Sequence, residues 1–214
     1  MQLGALKFGT FTLKSGRLSP YFFNAGLLCS GPILYTVAQA YALILTTSTD
    51  TTTSSFPHFD VLFGPAYKGI SFASTTSLVL HTHHNLTVGF AHDRKEAKDH
   101  GEGGILVGAT IRDKNIIILD DVMTSGKAVR GSIDLVTREG GKMVGVVQML
   151  DREEVGADGT SSTVKEVESI IGEGPGRVQS ILRMRDLIQW LEKNGRSQEL
   201  VAMKEYEEKY GLKT

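Results

Sequence analysis

The segment of the chain with the clearest capacity for chemistry is residues 116–128, which read IIILDDVMTSGKA. A run of apolar residues ends in two adjacent carboxylates, Asp120 and Asp121, and a turn of small, hydroxylated residues leads into a predicted helix near Gly126. The N–H groups and hydroxyls of such a turn, together with a helix N-terminus, bind phosphate. Carboxylates suit the hydroxyls of a sugar or a hydrated Mg2+. The segment therefore predicts a binding site for a phosphorylated ribose.

A less specific interpretation of this segment is an ordinary strand, turn and helix in which an aspartate caps the helix. Two unpaired carboxylates directly after a buried apolar run are costly without a binding partner, which favours the ligand site. Two other phosphate-binding patterns are absent from the sequence: neither Gly-x-x-x-x-Gly-Lys-Ser/Thr nor Gly-x-Gly-x-x-Gly occurs.

The elements that must position these residues follow an alternating pattern of short apolar runs and longer amphipathic runs. Polar tracts at 46–55, 81–85 and 156–163 are expected to be surface loops. The predicted strands are 60–63, 86–90, 115–119, 143–150 and 178–182, and the predicted helices are 35–45, 69–80, 126–138, 186–193 and 198–210. This alternation predicts an α/β fold with a mostly parallel, twisted sheet flanked by helices. Ligands then bind at the carboxyl ends of the strands.

Composition excludes several other classes of protein. The chain has 214 residues, with 23 Lys and Arg against 24 Asp and Glu, so no basic excess points to nucleic acid or a membrane surface. A single cysteine excludes an intramolecular disulfide framework. No apolar run approaches a membrane span, and the N-terminal residues do not resemble a secretory signal. We therefore expect a cytoplasmic protein that binds neither nucleic acid nor membrane.

The segment 116–128 resembles the ribose-phosphate motif of the type I phosphoribosyltransferases. Three further segments, 13–24 (LKSGRLSPYFFN), 63–69 (FGPAYKG) and 94–104 (RKEAKDHGEGG), extend this resemblance. In this order, the set closely resembles the orotate phosphoribosyltransferases of the bacterial and fungal type, from about Gly9 to about Leu191.

The resemblance implies a single phosphoribosyltransferase domain over residues 1–214. An N-terminal hood would occupy about 1–35, and a flexible lid loop would occupy about 92–104. The implied activity is transfer of the phosphoribosyl group from 5-phosphoribosyl 1-diphosphate (PRPP) to orotate, with Mg2+, in pyrimidine biosynthesis. It also implies a homodimer in which the lid serves the neighbouring active site. Because the chain ends at Thr214, we expect a separate transferase without a fused decarboxylase.

The resemblance also implies roles for individual residues. Lys98 and Asp121 would be the catalytic groups, with no covalent nucleophile and no direct protein ligand to Mg2+, which PRPP and water would hold. The implied PRPP-binding residues are Lys14, Tyr67, Lys68, Arg94, Lys95, Lys98, His100, Asp120, Asp121, Val122, Met123, Thr124, Ser125, Gly126, Lys127 and Ala128. The implied orotate-binding residues are Phe22, Phe23, Thr124 and Arg152.

Each of these assignments has a structural alternative. Phe22 and Phe23 are equally compatible with core packing, and Arg152 with a surface ion pair to Asp151 or Glu153. The charged run at 92–104 is also typical of a solvated surface. Two alternative functions remain, a phosphoribosyltransferase for another base and a non-catalytic regulator that senses PRPP. The lid cations argue against the regulator.

Overall fold

The computed structural model describes residues 2–13, 15–47, 56–98, 104–123, 126–156, 161–172, 174 and 176–212, with the backbone alone at 97 and 98. Its strands are β1 (Leu6–Thr12), β2 (Leu18–Phe23), β3 (Val61–Gly64), β4 (Gly89–Lys98), β5 (Gly104–Gly108), β6 (Asn115–Asp120), β7 (Lys142–Asp151) and β8 (Val178–Arg183). Its helices are α1 (Gly31–Thr46), α2 (Lys68–His84), α3 (Lys127–Arg138), α4 (Thr163–Ile171), α5 (Met184–Lys193) and α6 (Ser197–Tyr210), with a 3-10 turn at Ala25–Leu27.

Six strands form the central sheet, in the order β5-β4-β3-β6-β7-β8. All neighbouring pairs are parallel except β4 and β5, which are antiparallel. The central strands are mostly apolar, as expected where both faces of the sheet are covered. Helices α1 and α2 contribute to the core on one face, and α3 and α4 contribute to the core on the other.

A third apolar cluster joins the two terminal regions of the described chain. Strands β1 and β2 form a separate antiparallel hairpin. Tyr21 of this hairpin packs with Leu150 at the end of β7, with Met184 and Leu191 of α5, and with Tyr206 of α6. The C-terminal helices therefore hold the N-terminal hairpin against the end of β7.

The α/β architecture predicted from the sequence is confirmed, and four of its five predicted strands match β3, β6, β7 and β8 within a residue or two at each end. The five predicted helices correspond to α1, α2, α3, α5 and α6. None of the helices within the described ranges combines the length and the hydropathy that a membrane span requires.

Two predicted elements are wrong in their bounds or type. The strand expected at 86–90 begins at Gly89 and continues to Lys98, because backbone pairing with β3 and β5 outweighs the charges along it. The loop expected at 81–85 is instead the last turn of α2, which ends at Asn85 in the left-handed conformation. The side chain of His81 is hydrogen-bonded to Thr87 Oγ1 at 3.0 Å, which satisfies a polar group at this helix end.

Four elements were not anticipated, namely the hairpin strands β1 and β2, the edge strand β5 and helix α4. Helix α4 begins at Thr163, the last residue of the polar tract at 156–163, and the Ser162 hydroxyl accepts a hydrogen bond from Lys165 N at 3.1 Å. This is the geometry of an N-cap, for which serine is a preferred residue.

Candidate active site

The candidate site lies where the carboxyl ends of β4, β3, β6 and β7 meet at one edge of the sheet. From β3 the chain continues to its neighbour β4, and from β6 it continues in the opposite direction to β7. Ligands of open α/β sheets bind in the crevice at such a reversal of strand order. In this chain, the crevice lies between the turn after Gly64 and the turn after Asp120.

Two residues meet across this crevice. Lys68, at the start of α2, places its Nζ 2.5 Å from Asp121 Oδ2. The lysine side chain is half exposed, and the aspartate side chain is 16% exposed. The main chain of Asp121 is held independently, since its carbonyl oxygen accepts hydrogen bonds from Met149 N and Leu150 N. The structure thus brings together a cation and a carboxylate that are 53 positions apart in the sequence.

Asp120 lies beside Asp121 in a partly buried position at the end of β6. Its Oδ1 accepts a hydrogen bond from Asp121 N at 2.9 Å. Burial and then the like charge of Asp121 raise the pKa of Asp120 to about 7. The two adjacent carboxylates therefore favour a bound cation. Without a cation, Asp120 holds a proton more readily than an ordinary carboxyl group does.

The raised pKa of Asp120 predicts a pH dependence of folding stability. Folded Asp120 keeps its proton up to about pH 7, whereas the unfolded chain releases it near 3.8, so its contribution to the unfolding free energy falls as pH rises through that window. We expect Asp120→Asn to gain stability relative to the unmodified chain as the pH rises. Urea unfolding of both proteins at several pH values, without ligands, measures this difference. Parallel stability curves would contradict it, and Asp134→Asn, an exposed site on α3, is the matched control.

The turn from β3 to α2 is tightly packed against β6. Gly69 N donates a hydrogen bond to Pro65 O at 3.1 Å. A Cβ atom on Gly69 would lie 2.7 Å from Leu119 O, so only glycine allows this approach of α2 to the sheet. The Ala66–Tyr67 peptide bond is cis. Tyr67 is 74% exposed, so its ring is available to a ligand or a partner.

The turn after Asp121 separates residues that face the core from residues that face solvent. Met123 is buried among the side chains beneath α3, so its backbone alone is available to a ligand. Gly126 has a φ of 65° and ends the turn, and a Cβ there would lie 2.7 Å from Thr163 Cγ2. Lys127 and Ala128 are exposed in the first turn of α3. This arrangement agrees with a phosphate site formed by backbone groups and a helix N-terminus.

Gln148 supports this turn and was missed in the sequence. It is fully buried on β7, and its Oε1 accepts a hydrogen bond from Met123 N at 3.0 Å. Its Nε2 is buried and has no hydrogen-bond partner among the described residues. The available signal was a single polar residue in the otherwise apolar strand MVGVVQML, since a buried amide needs a structural or functional reason.

The first part of the predicted lid is a strand arm and not an irregular loop. Strand β4 continues past the sheet to Lys98 and pairs with Gly104 at the start of β5. At its base, Ala66 N donates a hydrogen bond to Asp93 Oδ1 at 2.6 Å. Lys95 Nζ lies 6.0 Å from the centre of the Tyr67 ring. The arm therefore contacts the turn after β3 directly.

The side chains of Arg94 and Lys95 make different contacts. Its Nη1 donates a hydrogen bond to Gly104 O at 3.2 Å, which links the two strands of the arm. Lys95 is about half exposed and lies 3.9 Å from Asp93 Oδ2. Of the two cations, Lys95 is thus the one whose side chain is more accessible in this conformation.

The residues predicted to bind the base occupy two environments. Phe22 is 42% exposed on β2 and contacts the ring of Phe11. Phe23 is partly buried against the core. Arg152, directly after β7, is only 5% exposed and is paired with Glu154, whose Oε1 lies 2.6 Å from its Nε. The alternative of a surface ion pair with Asp151 or Glu153 is therefore wrong, because Arg152 is buried by the hairpin and α6.

Five of the predicted site residues fall wholly or partly outside what the structure describes. Lys14, His100, Thr124 and Ser125 lie outside the described residues, and Lys98 is described by its backbone alone. The roles assigned to these five residues, like those of the other predicted site residues, remain predictions.

Comparison with known proteins agrees with the geometry of the crevice. Residues 45–180 match the family model of the phosphoribosyl transferase domain. An orotate phosphoribosyltransferase of Acinetobacter baumannii is 47% identical over 209 residues, which cover 98% of this chain and 91% of that protein. The Escherichia coli orotate phosphoribosyltransferase is 46% identical, with coverage of 97% and 92%.

A solved structure extends the agreement to the fold. The crystal structure of an orotate phosphoribosyltransferase from Francisella tularensis superimposes with a TM-score of 0.82 at 36% sequence identity. The match covers 98% of this chain and 96% of that one. With its mostly parallel sheet and its crevice of paired carboxylates, the chain belongs to the orotate phosphoribosyltransferases of the phosphoribosyl transferase family.

Proposed function

We propose that this chain is a cytoplasmic orotate phosphoribosyltransferase of pyrimidine biosynthesis. It transfers the phosphoribosyl group of PRPP to orotate and yields orotidine 5'-phosphate and diphosphate. The observation that carries the proposal is the contact of Lys68 with Asp121 across the crevice. This contact supports the proposal because it joins a lysine, which can bind a diphosphate, to a carboxylate, which can accept hydrogen bonds from ribose hydroxyls. The single cysteine of the chain, Cys29, is an exposed free thiol, which agrees with a reducing compartment such as the cytoplasm.

The proposed mechanism depends on positioning and electrostatics, without a covalent nucleophile. The phosphate of PRPP lies on the turn after Asp121 and the N-terminus of α3, and the ribose hydroxyls donate to the carboxylates. The bond from C1 of ribose to the diphosphate oxygen breaks ahead of attack by the orotate nitrogen, so positive charge develops on the sugar. Lys68 and the cations of the lid arm stabilise the departing diphosphate.

The residues present fit a role for Mg2+ that is mainly indirect. The carboxylate oxygens of Asp120 and Asp121 suit Mg2+ or its bound water. Burial and then the like charge of Asp121 raise the pKa of Asp120, and a nearby cation would offset the repulsion between the two carboxylates. No cluster of three or more potential metal ligands occurs within the described residues. We propose that Asp120 and Asp121 hold the ion through water, with PRPP supplying most of its ligands. The ion would supply positive charge to the diphosphate.

Arg152 is the residue proposed to recognise the orotate carboxylate. The proposal is supported by its position two residues after Leu150, whose N donates a hydrogen bond to Asp121 O, so that Arg152 and Asp121 lie at the same edge of the sheet. A guanidinium group suits a carboxylate because both are planar and form paired hydrogen bonds.

We predict that Arg152→Ala raises KM for orotate by about 100-fold, which is the loss of hydrogen bonds to a charged group. KM for PRPP should change little. Steady-state kinetics with each substrate varied in turn measures the two values. The Arg152→Lys variant keeps the positive charge but loses the paired hydrogen bonds of the guanidinium group, so it distinguishes the two contributions. Equal increases in both KM values would assign Arg152 a structural role.

The proposed active unit is a homodimer in which the lid arm of one copy reaches the site of the other. The arm and the exposed Tyr67 lie at the mouth of the crevice, where a second copy would meet them. Subunit mixing, described in the Discussion, tests this arrangement.

The function is tested by orotate-dependent release of diphosphate from PRPP, measured with and without Mg2+. Release with orotate but not with hypoxanthine or uracil would support the proposal. Release with another base alone would indicate a different phosphoribosyltransferase. Binding of PRPP without release under any of these conditions would indicate a regulator that senses it.

A further inference from the structure

Arg152 is held in a buried polar cluster formed by four other residues. Its Nη2 donates to Ser19 Oγ at 2.8 Å and to the hydroxyl of Tyr206 at 3.4 Å. Its Nε donates to Glu154 Oε1 at 2.6 Å, and its guanidinium carbon lies 4.2 Å from the centre of the Tyr21 ring. Nε and Nη2 thus already donate hydrogen bonds to protein acceptors. Nη1 has no hydrogen-bond partner among the described residues. It is also not one of the solvent-inaccessible polar atoms that lack a partner there.

The charges of the cluster do not balance. Glu154 also accepts a hydrogen bond from Arg17 Nη1 at 3.3 Å, so one carboxylate serves two guanidinium groups. Arg17 and Arg152 carry two positive charges against the single negative charge of Glu154. Among the described residues, one positive charge of this cluster is therefore not balanced, and Nη1 of Arg152 is the donor without a partner there that could bind an anion.

The hydroxyl of Tyr206 connects the two charged members of the cluster. It donates to Glu154 Oε1 at 2.8 Å and accepts from Arg152 Nη2. Tyr206 and Met203 are the two buried residues of α6, so this helix docks through the ring that carries the hydroxyl. Helix α6 thereby reaches the guanidinium group from the far end of the sequence.

We propose that Tyr206 of α6 is a positioning residue for the base site, which directs Nη1 of Arg152 toward the carboxylate of orotate. The hydroxyl fixes both the guanidinium plane and the carboxylate that pairs with it. The inference rests on the proposed function, because it assigns Tyr206 to the recognition of the same substrate.

The test compares Tyr206→Phe with Tyr210→Phe. Both changes remove one hydroxyl from α6, one turn apart, and the Tyr210 hydroxyl has no hydrogen bond among the described residues. The readout is the ratio of the inhibition constants of uridine 5'-phosphate and orotidine 5'-phosphate, which differ only in the base carboxylate. For Tyr206→Phe we expect weaker orotidine 5'-phosphate inhibition, by about tenfold, as for one hydrogen bond in a charged network. Inhibition by uridine 5'-phosphate and KM for PRPP should stay unchanged.

Three results would separate the possible failures. If the ratio in Tyr206→Phe equals that of the unmodified and Tyr210→Phe proteins, the positioning role is overturned. If both inhibitors weaken equally, or if thermal unfolding shows a loss of folding that accounts for the change, Tyr206 is structural and the inference again fails. If the unmodified chain releases no diphosphate with orotate, the proposed function fails instead.

Discussion

Replacement of Asp121 by asparagine should lower kcat/KM for PRPP by about 100-fold, or about 3 kcal/mol of transition-state stabilisation. The change preserves the shape of the side chain but removes the charge that pairs with Lys68 and that we propose accepts hydrogen bonds from the ribose hydroxyls. The fold should survive, because Met149 N and Leu150 N hold the main chain of Asp121 through its carbonyl oxygen. Steady-state kinetics with PRPP varied measures the effect.

The matched control for Asp121→Asn is Asp134→Asn, which makes the same change at an exposed position on α3. Its kinetics should equal those of the unmodified chain. Circular dichroism and thermal unfolding verify that both variants fold. A folded Asp121→Asn protein with unaltered kinetics would exclude Asp121 from the ribose site.

Replacement of Lys98 by alanine should lower kcat by about 100- to 1,000-fold, the usual effect of removing one group that stabilises developing negative charge. Lys98 ends the β4 arm, away from the buried core, so folding should be unaffected. Stopped-flow or coupled measurement of diphosphate release gives kcat, with the exposed Lys165→Ala on α4 as control. Unchanged kcat would remove Lys98 from the mechanism.

The two inactive variants together test whether the lid acts across the dimer. If the arm serves the partner's site, a mixed dimer of Lys98→Ala and Asp121→Asn contains one site with both native groups. Random reassociation should then restore about a quarter of the unmodified activity, since half the dimers are mixed and each has one working site. If each arm serves its own site, mixing restores nothing.

The sequence predicted the parts of the site that are contiguous along the chain. The apolar run before Asp120 and Asp121 identified β6 and the turn after it, because a buried strand and its terminal carboxylates are neighbours in sequence. The contact of Lys68 with Asp121 joins residues that are distant along the chain, because it depends on the order of strands in the sheet. Spacing alone does not encode that order, and Lys68 is a predicted site residue only through the family resemblance.

The environment of Arg152 was beyond the reach of sequence reasoning for a similar reason. Its burial depends on Ser19 and Tyr206, which approach from opposite ends of the chain. The expected partners Asp151 and Glu153 are its immediate neighbours, but Glu154 is the residue that pairs with it. The charged run at 92–104 predicts a loop, whereas its first part continues strand β4 to Lys98, because backbone pairing with β3 and β5 is not visible in the charges of the side chains.

The lid arm is the continuation of the core strand β4, so the sheet limits the insertions and deletions that this region can accept. Strand β4 pairs with β3 from Gly89 to His92, and its pairing with β5 becomes irregular only after Asp93. Insertion of one residue before Asp93 would turn successive side chains to the opposite face and withdraw Asp93 from Ala66 N. Changes of length between Lys98 and Gly104 leave that register intact. The reach of the lid can therefore vary independently of the sheet, whereas its anchor cannot.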